Sequence, residues 1–432
     1  MPPTLPISTD RPRHTRRSPA LTNEPSYDVG AVRAQFPALK AGSAHFDGPG
    51  GTQTPLPVID AIADALSRPL SNRGHGTAGE RNAEAIVADA RRALADLLGA
   101  DPAGIVFGRS ATQLTYDFSR TLAKTWAPGD EVVVTRLDHD SNVRPWIQAA
   151  ENAGAAVRWA DFDPETGELE VDAVRNALSE RTRLVAVTAA SNLIGTRPAI
   201  PVIAQAVHDA KALLYVDGVH YTAHAHVDVD VDVERLRADF FTCSPYKFLG
   251  PHMGVLASRP GLLETLRPDK LLPSTDAVPE RFEFGTLPYE FLAGARAAVD
   301  FLATLGPSNG EGTRRERLAS AFTTLERHED GLRRRIEEGL AAFGQVTVHS
   351  RAAERTPTLL LTIDGRSTAD AYRHLAERGV DAPSGSFYAL EASRRLGLGD
   401  HGGLRVGLAP YNNTEDVDRL LHHLAEFLAK PA

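Results

Sequence analysis

Apolar residues recur along the chain in two rhythms, and the switch between them marks its organisation. "ERNAEAIVADARRALADLLG" (80–99) carries apolar side chains at helical spacing and ends at a glycine, which predicts an amphipathic helix. The runs "GIVFG", "EVVVT", "AAVRWA", "RLVAVTAAS", "ALLYVDG", "ADFFTCS" and "GVLAS" then read as short strands, mostly separated by helix-length segments. Several are apolar at consecutive positions, as a sheet covered on both faces requires. This alternation predicts a mainly parallel, seven-stranded α/β sheet. Beyond about residue 290 the texture changes. "GTRRERLASAFTTLERHEDGLRRRIEEGLAAFG" (312–344) predicts a long, charge-rich helix with an interruption. Strand-like "QVTVHS", "TPTLLLTID" and "GLRVGLA", a helix near 368–378 and a final helix from Thr414 complete a smaller α+β unit. The predicted division is a disordered tail (1–25), a segment packing on the small domain (26–50), a large domain (51–290) and a small domain (291–432).

Composition narrows the function. The chain has 432 residues, 42% hydrophobic and 24% charged, as in an ordinary globular protein. A net charge of −9 argues against a nucleic-acid surface. No apolar run is long enough to span a bilayer. The single cysteine, Cys243, excludes an internal disulfide and fits a cytoplasmic setting. "RPRHTRRSPA", near the N-terminus, is basic but lacks the apolar core of a signal peptide and the helix of a transit peptide.

The distribution of lysine is more pointed. Among 41 arginines and six lysines, Lys247 stands in "CSPYKFLGPHMG", a turn between two apolar strands. Unlike arginine, a lysine can lose its proton and form a Schiff base with an aldehyde. That property, at the edge of an α/β sheet, points to pyridoxal 5'-phosphate (PLP), which needs a carboxylate on its ring nitrogen, a phosphate cradle and ring contacts. Asp217 in "LLYVDGVH" is the carboxylate candidate, at a strand's carboxyl end. "GRSATQLTYDF" offers Ser110, Ala111 and Thr112 at a helix start, where free N–H groups suit a phosphate. His139 in "TRLDHDSNVRPW" is placed to stack on the ring, and Asn192 in "AASNLIGT" to donate to its phenolic oxygen. Each taken singly has a blander reading as a turn, a helix cap or a surface histidine. Five in order at strand ends are harder to dismiss.

With these motifs the chain resembles the class V aminotransferase family of fold-type I PLP enzymes, and most its cysteine desulfurase and selenocysteine lyase branch. The resemblance runs from "HFDGPGGTQTP" (45–55) to "RVGLAPYNNTEDVDRLL" (405–421). It implies that His139 stacks on the cofactor, Asp217 meets its ring nitrogen, and His220 stands where the family has glutamine. Ser244 would hold the phosphate and Lys247 the aldehyde carbon, with Tyr246 replacing the usual histidine. Gly285 and Thr286 of "FEFGT" would serve the phosphate of a second subunit, implying a homodimer with shared sites. Arg405, with Asn192 and His75, would bind the substrate, Arg405 gripping its α-carboxylate by a bidentate pair.

One departure outweighs these agreements. The branch carries its nucleophilic cysteine in a loop like "R-T-G-H-H-C-A", whereas this chain reads "PSGSFYALE" (383–391), with Tyr388 at the cysteine position. Cys243, on the strand entering the lysine turn, reads as a small buried residue. The first expectation is therefore a carbon–sulfur lyase working by β-elimination, with Lys247, His139 and Tyr388 as catalytic residues. Epimerisation and then transamination are the alternatives on the same fold, and a PLP-binding scaffold is the non-enzymatic one. The spacing of His220, His224, His226 and Asp228 also admits a metal site, but the family has an ordinary loop there and no metal is expected. "DGPGGTQ" (47–53) lacks the Gly-Lys-Ser/Thr of a P-loop and is read as letting backbone approach the substrate.

Overall fold

A computed structural model describes residues 27–228, 236–307 and 310–430. The basic segment read as a tail, and most of "HVDVDVDVE", lie outside those residues. Seven strands form one sheet: β1 (Ile105–Gly108), β2 (Glu131–Thr135), β3 (Ala156–Ala160), β4 (Thr182–Thr188), β5 (Leu213–Asp217), β6 (Phe240–Cys243) and β7 (Gly254–Ser258). Their order across the sheet is β1-β7-β6-β5-β4-β2-β3. The pairs from β6 through β3 are parallel, and β7 runs antiparallel to both of its neighbours. The apolar runs follow from this arrangement. β2, β6 and β7 are buried at every position because helices cover both faces, whereas edge strand β3 alternates and exposes Ala156. Each fully buried valine, such as Val132, Val133 or Val134, contributes about 1.5–3 kcal/mol.

Helix α1 (Ala78–Leu98) opens on a Thr77/Glu80 capping box and ends at Gly99 with φ 63°, the left-handed cap its sequence suggests. Helix α2 (Ala111–Ala123) follows β1 directly, capped by the Ser110 side chain on the amide of Gln113. The smaller C-terminal unit holds the antiparallel sheet of β8 (Val346–Val348), β9 (Thr358–Ile363), β10 (Ser384–Gly385) and β11 (Gly403–Gly407), ordered β10-β11-β9-β8. Its core joins Leu359, Leu361, Leu404 and Val406 to Leu332 and Ile336 of helix α3 (Arg314–Leu340) and to Leu420 and Leu424 of helix α4 (Thr414–Ala429). A short strand at Ala44–His45 pairs in parallel with Val380–Asp381, which ties the N-terminal segment to this unit.

The expected interruption of the long helix is not there. Helix α3 runs unbroken over Arg314–Leu340, although it contains Gly331 and Gly339. A helical glycine costs only about 1 kcal/mol. Against that stand a Thr313/Glu316 capping box, the Arg333–Glu337 pair and a buried stripe of Leu318, Phe322, Leu325, Leu332 and Ile336. Gly339 also admits Leu421, whose Cδ1 would lie 2.4 Å from an added Cβ.

Candidate active site

The chain's candidate chemistry converges at the carboxyl ends of the parallel strands. A cleft of about 690 Å³ leads down to a smaller cavity of about 90 Å³, and Thr112, His139, Asn192, Tyr246 and Lys247 line both. Asp217 closes β5, Lys247 lies in the turn after β6, Asn192 follows β4 and His139 follows β2. Open α/β sheets place ligands at this end because the connecting turns diverge there.

Lys247 is buried, and its Nζ donates to the carbonyl of Pro49 at 2.5 Å. Burial, assisted by the positive Arg405 and opposed by Asp217 and Asp47, brings its amine from an ordinary 10.5 down to about 8. A neutral, nucleophilic amine is therefore available near neutral pH. The glycine-rich segment 47–53 lies against the lysine turn: Thr52 donates its amide and hydroxyl to the Tyr246 carbonyl and accepts from the Leu249 amide. The backbone approach expected of "DGPGGTQ" thus reaches Lys247 itself.

The Asp217 carboxylate lies at the cavity with one hydrogen bond among the described residues, to its Oδ1 from the Val219 amide. Burial raises its carboxyl, and the neighbouring lysine offsets this only in part. A buried carboxylate in this condition suits a protonated ring nitrogen. His139 is driven from 6.5 down to about 3 by burial first and then by Lys247 and Arg405, so its imidazole is neutral. Its Nδ1 accepts from the Ser141 amide at 3.1 Å, which leaves the ring proton on Nε2. Beneath it, buried Asp138 accepts from Thr135 and from Asn142 Nδ2, which in turn accepts through Oδ1 from Trp146. Burial pushes the Asp138 carboxyl up to about 8.

At the cavity's other end Ser110 caps the Gln113 amide, leaving the amides of Ala111 and Thr112 for a ligand. Gly254 is required here, since a Cβ on it would lie 2.3 Å from the Ser110 carbonyl carbon. Ser244 also lines this cavity. The unpaired amides, the small-residue approach and the undercompensated Asp217 together fit a phosphorylated pyridine ring.

Arg405 reaches the cleft from β11 and is 2% exposed. Its guanidinium donates to the Asn192 carbonyl at 3.2 Å and to Asp47 Oδ1 at 2.5 Å, and the Phe387 ring lies 3.6 Å from its centre. The sequence reading missed Asp47 and Phe387. Asp47 stands in a quoted motif, but nothing in the motif tells which distant cation it meets. Asn192 donates one Nδ2 hydrogen to the Phe387 carbonyl, and its Oδ1 is buried with no partner among the described residues.

Tyr388 lines the cleft, 76% exposed, with its ring centroid 5.5 Å from that of His139. Phe387 and Tyr388 have φ of 51° and 58°, a left-handed conformation that costs a non-glycine residue about 1–2 kcal/mol. The loop is held there by Asn192 on the Phe387 carbonyl and by the Asp140 amide on the Tyr388 carbonyl. Three candidates stand apart from this chain's own cleft. His75, Gly285 and Thr286 are exposed and line neither cavity. Cys243 is fully buried in β6, and burial raises its thiol far above the ordinary range.

Two of the histidines whose spacing admitted a metal site have protein partners, while His226 Nε2 is buried with none among the described residues. His220 Nε2 meets Thr356 and Thr358, and His224 Nδ1 meets Glu329 at 2.9 Å.

The family model for aminotransferase class-V matches residues 44–420. An uncharacterized protein of Mycobacterium tuberculosis is 32% identical over 406 residues, covering 93% of this chain and 99% of that protein. A probable cysteine desulfurase of Pseudomonas aeruginosa is 30% identical over 405 residues, covering 90% and 95%. Among solved structures, the cysteine desulfurase CsdA of Escherichia coli superposes with a TM-score of 0.81 at 26% identity, covering 93% of this chain and 98% of that one.

Proposed function

The chain belongs to the class V aminotransferase family of PLP-dependent enzymes, and on that premise we propose that it is a carbon–sulfur lyase acting on an amino acid by β-elimination. The observation that carries this reading is the side chain at the mouth of the cleft: a tyrosine, Tyr388, while the one cysteine of the chain is buried in the sheet.

PLP, when bound, supplies an electron sink for the carbanion at the substrate's α-carbon. Lys247 would hold its aldehyde carbon, and the lysine Nζ would take the substrate's α-proton. Asp217 would hold the proton on the ring nitrogen, and the neutral His139 imidazole would contact the ring. Ser110, Ala111, Thr112 and Ser244 would hold the phosphate, and His220 would serve the ring. Arg405 and Asn192 orient the substrate carboxylate. Tyr388 donates a proton to the departing sulfur. With one water consumed, the products are a thiol or sulfide, pyruvate and ammonia.

The test is a panel of β-substituted amino acids, with pyruvate and ammonia measured against substrate consumed. Equimolar pyruvate and ammonia are expected. Deuterium entering the α-carbon with no pyruvate released would transfer the reading to epimerisation, and a keto acid retaining the side chain would transfer it to transamination. With the true substrate, Arg405→Lys should raise KM about tenfold while sparing PLP binding, since the charge remains but the planar two-point grip is lost. An unchanged KM removes Arg405 from the carboxylate.

We also infer a homodimer in which Gly285 and Thr286 of one chain serve the phosphate of the other. The support is their exposure outside their own cleft and the place of "FEFGT" in the family pattern. Light scattering should show a dimer. A monomer that binds PLP and turns over substrate would refute it.

A further inference from the structure

His220 sits where a polar side chain has the least freedom to compromise. It is 2% exposed and lines the inner cavity beside Asp217 and Lys247, and its Nδ1 is buried with no partner among the described residues. Its Nε2 lies 3.0 Å from both Thr356 Oγ1 and Thr358 Oγ1. These threonines stand at the entry to β9, 136 and 138 residues away, so the contact crosses from the small unit to the large one. The ring is also wedged edge-on by His224, at 4.9 Å and 70°, and His224 is in turn fixed by Glu329 of α3.

The hydroxyl hydrogens decide which ring nitrogen is protonated. Thr356 Oγ1 has a second acceptor, the Gly195 carbonyl at 3.3 Å. Thr358 is fully buried, and among the described residues His220 Nε2 is the one hydrogen-bond partner of its hydroxyl. Were the ring proton on Nε2, the Thr358 hydroxyl would be a buried donor with nowhere to donate, at a cost of about 1–3 kcal/mol. With Nε2 as acceptor, Thr358 is satisfied and the proton lies on Nδ1. That N–H then lacks a protein acceptor and can meet one from a ligand in the cavity.

We propose that Thr358, with Thr356, is a positioning residue that fixes His220 as the Nδ1–H tautomer, so that the small unit presents a hydrogen-bond donor to an acceptor oxygen on the ring of the bound cofactor. Asn192, the expected partner of that oxygen, gives one of its two N–H groups to the Phe387 carbonyl, so His220 would add a donor beside the one Asn192 retains. Burial, which pulls the His220 ring well below its ordinary titration range, keeps it neutral and makes the choice of tautomer meaningful. The proposal rests on the PLP reading for the identity of the acceptor, but not for the tautomer.

The experiment has two arms. In the first, long-range ¹H–¹⁵N NMR on cofactor-free, ¹⁵N-histidine-labelled protein, with His220→Gln for assignment, should show His220 protonated on Nδ1 and bare at Nε2. A proton on Nε2 in the wild-type protein overturns the proposal without need of any further variant. In the second, apo-protein is titrated with PLP and quenching of intrinsic fluorescence is followed. Thr358→Val, which replaces the hydroxyl by a methyl of the same shape, should shift His220 toward the Nε2–H tautomer and weaken PLP binding about tenfold. Thr358→Ser should restore both. A purely structural role for Thr358 would leave the tautomer in place, and that result also overturns the proposal. If PLP fails to bind wild-type protein while His220 is protonated on Nδ1, the cofactor reading falls and the tautomer assignment stands.

Discussion

Lys247→Ala should reduce kcat by about 10³-fold or more, the range lost when a positioned acid–base group is removed. PLP should still bind through the phosphate, Asp217 and ring contacts, but without covalent attachment. Borohydride reduction of the wild-type holoenzyme followed by peptide mapping should label Lys247; label on another lysine, or none with PLP present, would refute the assignment. The pH dependence provides a second check. Only the neutral amine attacks the aldehyde, and its fraction grows as pH rises through the amine's own value. Because burial and Arg405 lower that value from 10.5 to about 8, PLP capture by apo-protein should be half-maximal near pH 8. Removing the Arg405 charge should move this midpoint upward, and removing the Asp47 or Asp217 charge should move it downward. A midpoint near 10.5 would mean that Lys247 is solvated in solution and that its burial among these groups is not the working state.

The residues whose place at the cleft could be read from sequence share a property: that place depends on local context. Asp217, Asn192 and His139 each follow an apolar run, and a run of that kind becomes a parallel strand whose carboxyl end opens on the cleft. Ser110 precedes a helical pattern and therefore caps it. The seven-stranded sheet and the smaller C-terminal domain were legible for the same reason, since both follow from periodicity. Contacts between distant segments were not. Asp47 on Arg405 joins residues 358 apart, and nothing in "DGPGGTQ" identifies its partner. Thr356 and Thr358 looked like an ordinary strand entry, although they hold His220. The predicted break in α3 is absent because its buried stripe and ion pair outweigh its two glycines. His75 carried no signal of its own beyond the resemblance, and the fold leaves it exposed on a loop ahead of α1.

Cysteine given to the enzyme should leave no persulfide on the protein, whatever reductant is supplied. A persulfide forms when a thiolate attacks the sulfur of the bound substrate, so the attacking group must be a thiol that reaches the cleft. Tyr388 is at the mouth of the cleft but cannot perform that attack, because a phenol oxygen bonded to sulfur is not a persulfide. Cys243 has the right atom in the wrong place: it is fully buried in β6, and burial disfavours its thiolate. Trapping with a persulfide-selective reagent after cysteine addition should therefore give no labelled peptide, while sulfide and pyruvate are released together. Cys243→Ala should keep activity within about twofold and cost only about 1 kcal/mol of stability, the typical value for a point change. Tyr388→Phe should lower kcat by no more than about 10²-fold, the low end for general-acid catalysis, because a thiolate leaves readily without help. Tyr388→Cys tests whether position alone separates this chain from a desulfurase. If the loop, held by Asn192 and the Asp140 amide, brings that sulfur to the substrate, this variant should acquire a trappable persulfide. A persulfide on Cys243 of the wild-type protein would overturn the lyase reading, since that thiol could react only if the strand entering the lysine turn opened during turnover.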